Sequence, residues 1–468
     1  MHGLKEGANV QDAPLISASK LQKLLRSIGL DRKETISWAM YDWANSAFAT
    51  TIMAAVLPPY YSKVAGFSLP ANVASAYWAY TTAIALFIIA LISPILGAVA
   101  DYMGAKKRFM GAFAVFGILF TASLYFIERG NWLEASILFI FANIGFSGAN
   151  IFYDSLLPHI ARKNEIDQIS SAGYAVGYLG GGLLLLLNIF WIQSPQTFGI
   201  PDTATASRLA ILSVAVWWAV FSIPVFNNVR EPIRLISRSE ISNIKPLRAG
   251  FRRLFQTLRD IPKYRQLALF LAAFWFYNDG INTIIKMATI YGTEIGIEQS
   301  DLIGALVLTQ FAGIPFTFAF GFLANRIGAK RAIYLGLCVY MLISIGGYFI
   351  QEAWHFWLLA FAVAIVQGGT QALSRAMFSN IIPRSKSAEF FGFFSVFAKF
   401  AGILGPVTFA FISQLAGSSR LSVFALVLFF LVGMIILAKV DLKEGERAAL
   451  EADAHDFAAL GGGESTAK

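Results

Sequence analysis

GAVADYMGAKKR at residues 97–108 and GFLANRIGAKR at residues 321–331 decide how this chain is read, because the second stretch repeats the first. Gly97, Asp101, Gly104 and Lys106 stand opposite Gly321, Asn325, Gly328 and Lys330, every pair 224 residues apart. Each copy follows one long apolar run and precedes another. Glycines at a helix end let neighbouring backbones come close. An acid there can lie against the positive N-terminus of another helix, and the basic residues after it stay at the membrane surface. Other landmarks repeat at similar offsets. DSLLP (Asp154 to Pro158) matches SNIIP (Ser379 to Pro383), and Asp42, Asn45 and Ser46 match Asp279, Asn282 and Thr283. The chain is two related halves, and parallel halves of this kind are a transporter architecture whose site is expected where they meet.

Composition agrees. Of 468 residues, 57% are hydrophobic and 14% charged, where a soluble domain carries about 25% charged residues. The mean hydropathy is +0.61, so apolar surface exceeds what a soluble core needs and the excess faces lipid. A soluble enzyme, a disulfide-stapled secreted protein and a disordered chain are excluded; the single cysteine, Cys338, has no partner for an internal disulfide. The expected fold class is an all-α membrane protein, with twelve transmembrane helices in two six-helix pseudo-symmetric halves. Spans are expected near 36–57, 72–100, 109–127, 132–156, 169–192, 207–226, 267–290, 301–324, 332–350, 354–382, 390–415 and 420–439.

The domains follow. Residues 1–35 form a cytoplasmic segment without an evident cleaved signal peptide. Within it Leu21, Leu24, Leu25 and Ile28 lie at helical spacing among Lys20, Lys23 and Arg26, which suits either an amphipathic surface helix or a solvated leader. Residues 36–226 and 267–440 are the two halves. Residues 227–266 are a linker with ten Lys/Arg, and 441–468 are expected to be a disordered cytoplasmic tail. Thirty Lys/Arg fall in the N-terminus, the even-numbered loops and the C-terminus, whereas the odd-numbered loops and their edges hold Lys63, Arg129, Arg208 and Arg420. That asymmetry puts both termini in the cytoplasm. The net charge of +9 is therefore topology rather than nucleic-acid binding.

The G-x-x-x-D-x-x-G-x-K-[KR] pattern, present twice, resembles the signature loop of the major facilitator superfamily. WAMYDWANSAFATTIMAAVLPPYY (38–61), FYNDGINTI (276–284), GGTQALSRAMFSNIIP (368–383) and AEFFGFF (388–394) resemble its vacuole-effluxer branch, the autophagy-related amino-acid effluxers and their bacterial relatives. The resemblance runs from about residue 36 to about 440 and implies an uphill or exchange carrier for small metabolites. It also implies that the first, fourth, seventh and tenth helices line a central cavity. One departure is Asn325, where the superfamily loop has Asp, so the two latches are expected to differ in strength.

Ionisable residues inside a span cost about 2.5–3.5 kcal/mol each at a helix centre, so each needs a reason. Asp42 and Asp279, with Asn45 and Asn282 beside them, either form a cavity-facing proton or substrate site or hold helices together. Arg375 lies about 12 Å inside the tenth span and suits either a substrate carboxylate or an ion pair with a buried Asp. Lys399 is read in the same way, and Tyr41 and Tyr277 flank the charges. Lys286 suits snorkelling. Asp154 is expected to be a gate contact with the basic loop Lys106–Arg108. Asp279 is expected to be the less paired acid and the proton carrier, with Arg375 on the anionic end of a substrate bearing both charges. Glycines Gly173, Gly177, Gly180, Gly402 and Gly405 suit either sliding or static crossings.

Enzyme chemistry finds no motif: no G-x-S-x-G, P-loop or H-E-x-x-H is present, and the four His are scattered, so no catalytic residue, metal site or cofactor is expected. The partners expected are a small-molecule substrate, protons and membrane lipids, without nucleic acid. The expected function is a secondary active transporter of a small polar metabolite, an amino acid or small peptide, coupled to protons. A drug or toxic-metabolite exporter and a non-transporting receptor or scaffold remain the alternatives. A bacterial cytoplasmic membrane is expected, with a vacuolar membrane as the alternative. The topology is testable by labelling. In a Cys338→Ala background, an impermeant thiol reagent applied outside should label Gly66→Cys, Gly199→Cys and Ser418→Cys and spare Ser242→Cys and Ser465→Cys. The reverse pattern overturns orientation and loop assignment together.

Overall fold

A computed structural model describes residues 18–162, 164–232, 259, 264–416 and 418–461. The basic linker expected at 227–266 lies, apart from its ends, outside the described residues. The described chain is helical from end to end. A short helix, α1 (Ala18–Ser27), precedes α2 (Lys33–Ala47), which passes into π turns at Phe48–Ala55, the turn α3 (Leu57–Tyr60) and further π turns at Tyr61–Ala65. There follow α4 (Ala71–Met103), α5 (Lys106–Ser123), α6 (Trp132–Ile160), α7 (Ile166–Gln193) and α8 (Thr203–Asn228). The second half holds α9 (Arg265–Glu294), α10 (Gln299–Ile327), α11 (Ala329–Tyr348) and α12 (Ala353–Asn380). Beyond these come α13 (Ser387–Phe400), α14 (Leu404–Ala416), α15 (Ser419–Ala425), α16 (Val427–Ala438) and α17 (Leu442–Gly461).

Ten helical spans among the described residues are long and apolar enough to cross a membrane. The expected first and seventh spans are not among the ten, for a physical reason. The first is broken at Ala47 by π turns, and Pro58 and Pro59 downstream have no N–H to offer the carbonyls of Ala54 and Ala55. The seventh, α9, carries Asn278, Asp279, Asn282 and Lys286, which dilute its apolar content.

Each half buries its own core. Trp38, Phe48, Phe139, Phe152, Tyr153 and Trp218 centre the first, and Phe270, Tyr277, Tyr340, Phe378 and Phe430 the second. Within the first half α2 packs on α7 and α8, and α5 on α6; within the second α10 packs on α12, and α9 on α16. The halves touch chiefly through α4 with α13 and α7 with α10. In each pair, one member directly precedes a copy of the repeated loop.

The first loop copy closes that end of the bundle. A Cβ on Gly97 would strike the carbonyl of Ala388, so glycine is what lets α4 and α13 meet. The Asp101 carboxylate then accepts from the backbone N–H of Glu389 at 2.7 Å and of Ala388 at 3.3 Å, the first turn of α13. Lys106 pairs with it at 2.9 Å and also reaches His159 Nε2 at 2.9 Å. Gly104 takes the left-handed conformation (φ +60°) that ends α4. The second copy works differently. Asn325 is exposed, and Gly321 lies against Ser171 of α7. Lys330 donates to the carbonyls of Ala438, the last residue of α16, and Val440 just past it. Its counterpart in role is not Lys106 but Lys107, which donates to Phe226 and Val229 at the end of α8.

Two expectations for the ends need correction or sharpening. The tail expected to be disordered forms α17 as far as Gly461, because buried Asp453 accepts from the N–H groups of Arg384 and Ser385 and Gly445 sits against Ile381. At the other end, Leu25 and Ile28 around α1 dock against Leu30, Ala39 and Ala172, while Leu24 stays exposed.

Asp101→Asn keeps the shape of the latch but leaves Lys106 buried without its counter-ion. Such contacts contribute about 2 kcal/mol at most to a helix end in buried geometry. The substitution should raise the open-to-closed ratio at this end up to roughly 30-fold. Thiol labelling of a Ser171→Cys reporter should accelerate accordingly, and an unchanged rate removes the gating role.

Candidate functional site

Between the halves lies a cavity of about 540 Å³, and its polar groups come from six helices, Thr283 and Tyr291 standing on α9 and Thr309 and Gln310 on α10. Asp42 and Asn45 stand on α2, Asn150 and Asp154 on α6, Tyr174 and Tyr178 on α7, and Gln367, Gln371 and Arg375 on α12. On α6 the residues Asn143, Ser147, Asn150 and Asp154 recur every three or four positions, so one polar stripe faces inward from an otherwise apolar helix. The π turns of the first span add Ala49, Thr50, Ala54 and Ala55 to the wall.

Arg375 sits at the floor of this cavity with only 4% of its side chain exposed. Its guanidinium pairs with Asp154 at 3.0 Å and with Asp42 at 3.3 Å. Its Nε donates to Ser170 Oγ at 2.9 Å, and one Nη donates to the Ser170 carbonyl at 3.0 Å. The rings of Tyr174 and Trp38 lie 4.4 and 4.8 Å from its centre. Trp38 in turn stacks on Tyr153 and donates to the Tyr153 carbonyl, which holds α2 against α6. One cation of the second half is thus tied to two acids and a serine of the first. Two carboxylates against one guanidinium leave the floor with a surplus negative charge.

The expected site residues therefore separate. Asp42, Asn45 and Arg375 come together on the cavity, with Asn45 also donating to Asn150 at 2.8 Å. Asp154 was expected at the gate, yet it joins Arg375; His159, more than one turn further along α6, makes the gate contact with Lys106 and Ser387. Of the two readings of Arg375, a fork for a substrate carboxylate or an ion pair with a buried Asp, the structure shows the ion pair, and its donors already have partners. Tyr41 and Tyr277 do not line the cavity: Tyr41 is fully buried beside Tyr153, and Tyr277 bonds to Ser374 inside the second core. Ser170, Tyr174 and Tyr178 are partners that sequence reasoning missed. Their spacing of four on α7 was the available signal, masked by the glycines around them.

Asp279 is also off the cavity. It is 1% exposed, and one oxygen accepts from the Gly405 N–H at 3.0 Å, the start of α14. The span formed by α13 and α14 is interrupted at Ala401–Ile403, since Pro406 has no N–H for the carbonyl four residues back at Gly402. The α9 side chains meet the freed groups. Asn282 donates to the Ala401 carbonyl at 3.0 Å, and Lys286 to that of Gly402 at 3.2 Å. Asp279, Asn282 and Lys286 thus brace a broken helix, and the repeat relating Asp42 to Asp279 is one of sequence, not of role. The α7 glycines are packing sites: Gly173 lies against Asp42, Gly177 against Ser46 and Gly180 against Trp43.

Comparison with known proteins adds the lineage. A family model described as "Vacuole effluxer Atg22 like" matches residues 61–450. The chain is 40% identical over 410 residues to an MFS-type transporter of Bacillus subtilis, YxiO, covering 87% of this chain and 95% of that one. It is 24% identical over 423 residues to autophagy-related protein 22 of Vanderwaltozyma polyspora, covering 80% of each. Among solved structures it is similar to the MFS proton:xylose symporter XylE, with a TM-score of 0.67 at 15% identity, over 92% of this chain and 99% of that one. The last is a likeness of fold alone. With its membrane-length helices, the chain is an integral multi-pass membrane protein.

Arg375→Lys tests the floor. An ammonium cannot serve two carboxylates and both Ser170 oxygens at once, nor stack between Tyr174 and Trp38. Losing a partner from a buried ion network costs about 3–5 kcal/mol. The variant's melting midpoint should fall by several degrees, and an unchanged midpoint would show that the network adds no stability.

Proposed function

The chain belongs to the Atg22-like vacuole effluxer family of the major facilitator superfamily, and from that premise we propose that it is a secondary carrier for a small zwitterionic metabolite of the amino-acid class, working by alternating access and coupled to protons. The observation that carries this reading is the cavity between the halves with Asp42, Arg375 and Asp154 on its floor. Its volume falls within the roughly 300–1,000 Å³ of small-molecule sites. Charges at such depth persist in membrane proteins where they serve a pathway. The surplus negative charge of the floor can be neutralised by a proton or by the ammonium group of a substrate, and competition of the two for the same acids couples their movement.

Alternating access is supported by the one-sided closure. The Asp101 latch and the close approach of Gly97 seal one end, while the cavity wall continues away from it through Thr50, Ala54, Met287, Tyr291 and Ile350. Rocking the halves would part α4 from α13 and break the floor network in the same movement. The Lys/Arg asymmetry supports a cytoplasmic latch end, both termini inside, and twelve spans once the first span and α9 are counted. The Bacillus relative supports a bacterial cytoplasmic membrane. The place of Asp279 beside Gly405 favours a bracing role, so the coupling proton is assigned to the Asp42–Asp154 pair instead.

Proteoliposomes loaded with amino acids test this. Saturable counterflow is expected, with uphill movement on a pH gradient. Asp154→Asn should retain counterflow and lose uphill movement, because exchange does not require proton release. Asp279→Asn should keep both. The opposite outcome for these two variants returns the proton to Asp279. Counterflow of lipophilic drugs alone would favour the exporter, and no flux of any kind the scaffold.

A further inference from the structure

The sequence places three cations inside spans, and two have protein partners: Arg375 on Asp42, Asp154 and Ser170, and Lys286 on the Gly402 carbonyl. The third, Lys399, makes no hydrogen bond or ion pair among the described residues, although it is only partly exposed. An ammonium held at that depth without a counter-ion is costly, so its place calls for a ligand.

Its direction follows from helical spacing. Ala388, Gly392, Ser395 and Lys399 recur every three or four residues and share one face of α13. Ala388 on that face abuts Gly97 of α4, and the Gly392 carbonyl accepts from Ser93 of α4 at 3.2 Å. The face therefore looks across to the other half. Lys399 lies two turns, about 10 Å, beyond Gly392 on the side away from the latch. It is within Coulombic reach of the like-charged Lys286 and, more weakly, of Asp154, and it forms no ion pair with Asp154. No residue of α13 is among those that line the cavity in this latch-closed form, so the gap between the floor acids and the unmatched ammonium is one that the parting of the halves would open.

We propose that Lys399 is the carboxylate-binding residue of the transport site, so that an α-amino acid spans the gap with its ammonium on Asp42 and Asp154 and its carboxylate on Lys399. This rests on the amino-acid reading given above and deepens it, because it moves the anionic subsite from Arg375, whose donors are occupied, to α13. It also explains why the chain carries Lys399 just before the break at Ala401–Ile403. A carboxylate drawn to Lys399 pulls on the end of a helix that is already interrupted, at the place where α13 and α14 can bend.

The test needs the purified full-length protein, the twenty common amino acids and their C-terminal amides, with binding read by thermal shift and titration calorimetry. At least one free amino acid is expected to bind, with its amide at least 10-fold weaker. Lys399→Gln should weaken the free acid about 10-fold or more and leave the amide unchanged, erasing the difference; Lys399→Arg should restore part of it. The comparison of acid with amide on unaltered protein needs no variant, so misfolding of Lys399→Gln does not shelter the proposal. Equal binding of acid and amide, or a difference that survives in Lys399→Gln, overturns the Lys399 subsite while leaving an amino-acid carrier standing. Binding of neither acids nor amides overturns the substrate class and the subsite with it.

Discussion

A guanidinium inside a hydrocarbon layer has no water to solvate it, and everything around Arg375 is arranged to answer that constraint. Charged groups in such a medium persist when paired and fully hydrogen-bonded. Asp42, Asp154 and both oxygens of Ser170 meet the donors, while Tyr174 and Trp38 cover the flat faces. Because the arginine belongs to α12 and its partners to α2, α6 and α7, satisfying it pulls the two halves together at the cavity floor. Trp38 stacks on Tyr153, and Gly173 lets α7 lie against α2 beside Asp42. The packing of the first half is thus organised around a cation that the second half supplies.

The same logic, carried from charge to backbone, closes the latch end. The turn at Arg384–Lys386 and the start of α13 expose N–H groups with no intrahelical partner. Two carboxylates from distant parts of the chain meet them: Asp453 from α17 at Arg384 and Ser385, and Asp101 from the end of α4 at Ala388 and Glu389. One helix end therefore joins the tail to the first half. The second loop copy has Asn325 in place of the acid and leaves it exposed, so the pseudo-symmetric contact of α7 with α10 relies on the approach of Gly321 to Ser171. The two closures of this end differ in chemistry, one ionic and one steric.

Divergence within the repeat also marks the two expected spans that do not rank as membrane helices, one broken by π turns and the other diluted by polar residues. The first half placed Asp42 on the cavity; the second placed Asp279 against Gly405, where it caps the second piece of a broken helix. Both helices carry polar rows, and both border departures from regular α-helix: π turns in one case, the interruption at Ala401–Ile403 in the other. Freed backbone groups inside a membrane must find partners, and in the second case Asn282 and Lys286 provide them.

The architecture was legible in the chain itself. Apolar runs, the duplicated loop and the asymmetry of Lys/Arg are one-dimensional patterns, and the membrane reads them as such because span length and flanking charge need no knowledge of neighbours. That an acid beside glycines at a helix end can meet the N-terminus of another helix was legible too, and the structure makes that helix α13. Which acids and cations pair was a different matter. Asp42 and Asp279 look equivalent in sequence, Asp154 looks like a gate residue, and Arg375 and Lys399 look like variants of one signal. Their separation depends on how each helix is rotated and at what depth its residues meet those of four others. Only tertiary structure decided that Arg375 is satisfied by Asp42, Asp154 and Ser170 while Lys399 is left without a partner among the described residues, because pairing energy falls off over a few ångströms and no spacing along the chain encodes a distance between helices.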